Sequence, residues 1–199
     1  MAYIALNIVV CVLAAIFLMI SHELVKVFVY WCCNGGHFSG KTSPWKVWRY
    51  IDPIGVILAI VCNVTISKPH FFRIREKKTN LLLGITGLSF LLIAFGFSIW
   101  ILRYIYGGFE GLEGMESLPW IQQFPAMLVE YISILSIGMF MANLFPVSTF
   151  DMGLIIAGCS APSYLNIIKA DGIIKMIFVL TLLLNVISYG ALRIIELLL

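Results

Sequence analysis

Charge is what this chain has least of. Only 12% of its 199 residues are Asp, Glu, Lys or Arg, while 61% are hydrophobic and the mean hydropathy is +1.02. An average soluble domain carries roughly 25% charged residues, so the composition excludes an ordinary water-soluble globule and predicts an integral membrane protein. No Lys or Arg precedes Lys26. A secretory signal peptide needs a basic n-region and a short apolar core, so the opening run is read instead as one retained helix over residues 2–33. The cysteines, Cys11, Cys32, Cys33, Cys62 and Cys159, lack the spacing of a disulfide framework or a CxxC pair and read as small packing residues. There is no internal repeat and no pair of broken helices of the kind secondary transporters use, which weighs against transport.

Apolar runs supply the architecture. Residues 2–33, 80–106 and 119–147 are long enough to cross a bilayer, and Gly172 to Leu199 reads as a final C-terminal span. Residues 51–66 are too short: at about 1.5 Å each they reach roughly 24 Å, less than a ~30 Å hydrocarbon core. The basic residues cluster. Lys41, Lys46 and Arg49 stand among Trp45, Trp48 and Tyr50, and Lys68, Arg73, Arg75, Lys77 and Lys78 follow the short segment. By the positive-inside rule both loops are cytoplasmic and touch lipid headgroups rather than nucleic acid. The loop from Gly107 to Leu118 carries Glu110, Glu113 and Glu116 without a basic residue, and is placed outside. If both basic loops lie on one side, residues 51–66 dip into the membrane and return. A tilted crossing is the competing topology. The expected fold is an all-α integral membrane protein of one domain, residues 1–199, with three transmembrane helices, a re-entrant or short segment and a C-terminal helix.

Ionisable residues at membrane depth imply pairing or function. His22-Glu23 lies inside the first run, and Lys26 stands where the second histidine of an HExxH zinc site would fall. That motif works because imidazoles one helical turn apart face the same ion, while the glutamate accepts the proton of the metal-bound water. The predicted topology brings His22 and Asp151 to the same inner face.

The segment Asn143-Leu144-Phe145-Pro146-Val147-Ser148-Thr149-Phe150-Asp151 resembles the NxxPxxxxDG signature of the site-2 protease family of intramembrane zinc metalloproteases. Tyr50-Ile51-Asp52-Pro53-Ile54-Gly55 is similar to the HIDPIG stretch of its small bacterial members, Lys68-Pro69 to their KP motif, and Thr86-Gly87-Leu88 more faintly to their AGP. The resemblance runs collinearly over residues 18–155. It implies a site-2 protease-like core in a bacterial plasma membrane, with His22 and Asp151 as zinc ligands, Glu23 as catalytic base, and Asn143 and Pro146 beside a transmembrane protein substrate.

The departures fall on the chemistry. Lys26 replaces the second histidine, Met152 the glycine after the ligand aspartate, Leu88 the proline of AGP, and Leu91 a polar residue. An ammonium group has three donors and no lone pair, so it does not ligate zinc. It can instead take the metal's electrostatic place, pairing with Asp151 and leaving Glu23 close by. The expected function is therefore a catalytically impaired, site-2 protease-like protein that binds a membrane partner and holds no zinc. The alternative is an active intramembrane metalloprotease whose variant zinc site borrows His37 or Cys33. His70, in the basic loop, is read as a solvated or interfacial histidine.

Overall fold

The computed structural model describes residues 2–33, 46–70, 76–108 and 119–199. Among them the secondary structure is entirely helical. Three helices are long and apolar enough to cross a membrane: α1 (Ala2–Cys33), α3 (Lys77–Tyr104) and α4 (Trp120–Asn143). No Gly or Pro interrupts α1, and its 32 residues make it about 48 Å long, so it must tilt or project beyond a ~30 Å core. In lipid such helices satisfy every interior backbone group within one segment, which is why β-branched runs such as Ile8-Val9-Val10 stay helical.

The three pack as a bundle. α1 and α4 run parallel, with Asn7 meeting the Tyr131 hydroxyl at 3.3 Å near the start of one and His22 reaching the segment just past the end of the other. Their seam is Cys11, Ala14, Ala15, Leu18, Met19 and Leu135. α3 packs against both and runs in the opposite direction.

Residues 51–66 form a hairpin. Asp52 caps the short helix α2 (Pro53–Cys62) by accepting the Ile54 N–H at 3.0 Å, and Pro53 fits the first turn, where no N–H is required. Asn63 ends it in the left-handed conformation, φ 50°. The chain then returns extended along α2. Thr65 donates to the Gly55 carbonyl at 3.3 Å, and the Lys68 N–H donates to the Tyr50 carbonyl at 3.0 Å, so the two ends of the hairpin meet. The ten-residue helix spans about 15 Å. The two arms run back along one another, as expected of a returning segment.

Past α4, the loop from Leu144 leads into α5 (Asp151–Cys159), which lies against α3. Close approach there requires glycine, because a methyl group on Gly84 would meet the Asp151 carbonyl oxygen and Ile155. The C-terminal span expected over 172–199 is corrected in two respects. Helix α6 (Ala161–Leu183) begins eleven residues earlier, its N-cap Ser160 and first-turn Pro162 forming a regular helix start. It then breaks at Leu184-Asn185, with Asn185 at φ 53°, and α7 (Val186–Leu198) continues at 57°. The break is held where the Ser188 hydroxyl donates to the Cys62 carbonyl.

Candidate functional site: a buried ionic tetrad

His22, Glu23 and Lys26 lie on consecutive turns of α1. The spacing of four from His22 to Lys26 places both on one helical face, and that face is turned inward: relative exposure is 1% for His22, 1% for Glu23 and 4% for Lys26. Asp151 is the first residue of α5 and equally buried. Asn143, at the end of α4, fixes its position. The Asn143 carboxamide donates to the Met139 carbonyl at 3.0 Å and accepts the Asp151 N–H at 3.3 Å, tying the end of one helix to the start of the next.

The side chains then close on one another. Lys26 Nζ lies 2.5 Å from Glu23 Oε1 and donates to Asp151 Oδ1 at 3.0 Å. His22 Nε2 is 2.7 Å from Asp151 Oδ2, and its Nδ1 is 3.1 Å from Ser67 Oγ and 3.2 Å from Glu23 Oε1. The return arm of the hairpin completes the shell. Ser67 donates its hydroxyl to Glu23 Oε1 at 2.8 Å, and the His70 N–H donates to Oε2 at 3.0 Å. Among the described residues no buried side-chain nitrogen or oxygen lacks a partner.

Hydrogen-bond counting assigns the protons. Ser67 has one hydroxyl hydrogen, given to Glu23, so Ser67 Oγ is an acceptor toward His22 Nδ1. Asp151 receives Lys26 on one oxygen and faces His22 Nε2 with the other, as a carboxylate. Both imidazole nitrogens are thus donors, an assignment from the network. His22 and Lys26 balance Glu23 and Asp151, and the buried cluster is neutral overall. Neutrality matters, because an unbalanced charge at this depth is costly.

A zinc ion needs an imidazole lone pair and free carboxylate oxygens. Here both nitrogens of His22 and both oxygens of Asp151 are engaged, and Lys26 Nζ fills the gap between the carboxylates. Among the described residues no group of three or more His, Cys, Asp or Glu side chains is placed to hold a metal. In this arrangement the donor set does not fit zinc. Cys33, a substitute ligand in the active-protease reading, is exposed three turns beyond His22, about 16 Å along α1. His37 lies outside the described residues.

The two remaining residues of the expected site differ in access. Asn143 is buried and spends its polar groups inside the chain, whereas Pro146 and the preceding Leu144 are exposed. Residues 144–150 are braced from α6, where Asp171 accepts the Ser148 N–H at 3.0 Å and Tyr164 donates to the Ser148 carbonyl at 3.3 Å. Sequence reasoning missed Ser67 and the His70 N–H as members of the site. It also missed the role of Gly87, where a Cβ would collide with the Asp151 carboxylate. Ser67 and His70 flank Lys68-Pro69 and Gly87 lies within Thr86-Gly87-Leu88, motifs singled out in the chain, yet a backbone donor carries no side-chain signature. No protein-family model, curated protein or solved structure matches the chain.

Proposed function

We propose that this chain is a multi-pass, site-2 protease-like protein of a bacterial plasma membrane in which an ammonium group replaces the catalytic metal, and that it acts by binding a transmembrane partner rather than cutting it. The observation that carries this reading is the position of Lys26 Nζ, 3.0 Å from Asp151 Oδ1 and 2.5 Å from Glu23 Oε1, between the carboxylates that the resemblance assigns to metal and base. With its cation supplied covalently, the cluster keeps the helices in register without activating water. Glu23 accepts from Ser67, His70 and Lys26, so its carboxylate is committed to the cluster. The exposed Leu144 and Pro146 remain as contacts for an unwound partner segment.

Metal content of the detergent-purified protein tests this. Zinc is expected to be absent from the unmodified chain, to reach about one per chain in Lys26→His, and to be lost again in Lys26→His/Asp151→Ala. Zinc in the unmodified chain that disappears in Asp151→Ala overturns the replacement. Absence of zinc from Lys26→His after reconstitution overturns the kinship with a metal centre.

A further inference from the structure

A second polar assembly lies far from the tetrad. Where the tip of the hairpin meets α1 and α4, a cleft of about 320 Å³ opens, walled by Ile4, Ile8 and Ile60 and carrying Asn7, Asn63 and Tyr131. Asn7 precedes His22 by fifteen residues on α1, which puts the cleft about 22 Å from the tetrad along that helix. The two sites are separate.

The lining selects its ligand. Among the described residues no Asp, Glu, Lys, Arg or His borders the cleft, so a phosphate or carboxylate headgroup would enter without a counter-charge, which is expensive at membrane depth. The polar groups are two carboxamides and a phenol, suited to a neutral hydroxyl or ester. Asn63 is the pivotal one. Its backbone is fixed in the left-handed turn with its carbonyl against Gly138, while its half-buried carboxamide has no hydrogen-bond partner among the described residues. The cleft is partly open rather than enclosed. It lies at the small end of ligand pockets, roughly 300–1,000 Å³.

We infer that this cleft is a binding site for a neutral lipid of the diacylglycerol class, its glycerol hydroxyl or ester hydrogen-bonded by Asn63 and its upper acyl carbons lying on Ile4, Ile8 and Ile60. The inference rests on the membrane placement of α1 and α4, and is independent of the fate of the metal centre. Occupancy would brace the hairpin tip.

Native mass spectrometry of the detergent-solubilised chain titrated with dioleoylglycerol or dioleoylphosphatidylglycerol tests it. One dioleoylglycerol per chain is expected, at least tenfold preferred over the anionic lipid. Asn63→Gly keeps the left-handed turn and removes the carboxamide, and should weaken binding about fivefold or more. Ile60→Trp, which fills the cleft, should abolish it. Unchanged binding in Asn63→Gly and Ile60→Trp, or equal binding of both lipids, overturns the site. Recovery of the chain in the aqueous phase without detergent would instead overturn the membrane placement, a failure distinguishable from loss of lipid selectivity.

Discussion

Lys26 and Asp151 form a salt bridge of 3.0 Å between two residues 125 positions apart, both nearly inaccessible to solvent. The contact joins the first helix to the fifth: α1 carries the cation, and the anion is the first residue of α5. Because Lys26 also touches Glu23, it is the hinge of the tetrad's charge balance.

Removing that cation should cost more than a usual surface charge. Lys26→Met keeps the apolar stem and leaves Glu23 and Asp151 facing one another with only His22 between, so a loss of about 3–5 kcal/mol is expected. Neutralising the carboxylates as well, in Lys26→Met/Glu23→Gln/Asp151→Asn, should recover at least half of it, since the penalty belongs to unpaired charge. Thermal unfolding in detergent reads both. A triple variant no more stable than Lys26→Met would mean that packing, not charge, sets the effect.

Glycine 87 gives a sharper steric test. An added methyl group at Gly87 would strike the Asp151 carboxylate, whereas one at Gly96 on the same helix has no atom within 4 Å. Gly87→Ala should therefore destabilise by about 1–3 kcal/mol, as overpacking does, and loosen the His22 contact. Gly96→Ala should be neutral or stabilising by up to ~1 kcal/mol from helix propensity. Equal melting points for the two variants would contradict the tight seating of Asp151 on α3.

Much of this was readable in the chain. α1, α3 and α4 follow from apolar runs, and the Lys26 pairing follows from its one-turn spacing to His22, which places it on the same face. The break at Asn185 was hidden because apolar residues continue through it without Pro or Gly, so hydropathy sees one span. The shell around Glu23 was hidden for another reason: Ser67 and the His70 N–H reach it only after the hairpin has folded back, and register of that kind is set by tertiary packing.

The His70 side chain makes the hairpin sensitive to acid. Burial, reinforced by the nearby Arg49 and opposed by Glu23, lowers the imidazole below its ordinary value of 6.5, and the ring packs edge-on against Tyr50 at 5.6 Å. A histidine with a depressed value binds its proton more weakly in the folded than in the unfolded chain. Its contribution to stability is complete above the unfolded value of 6.5 and is lost as pH falls below it, toward the lower folded value. Stability of the unmodified protein should decline over that interval more steeply than that of His70→Gln. Parallel curves would remove His70 as the titrating group.

The meeting of Tyr50 and Lys68 makes a claim about sides. If the backbone bond between them closes a segment that enters and leaves at one surface, then positions just outside it on either arm face the same compartment. Trp48 and Lys68 are both exposed, and each can be replaced singly by cysteine in a background with Cys11, Cys32, Cys33, Cys62 and Cys159 changed to serine. In sealed vesicles of one orientation, a membrane-impermeant maleimide should label both variants from the same side, the cytoplasmic side by the charge of Lys46, Arg49 and Lys68. A cysteine at Ile60, near the tip, should resist labelling until detergent is added. Labelling of positions 48 and 68 from opposite sides would require α2 to cross the bilayer in ten residues. That is about half the length a helix needs.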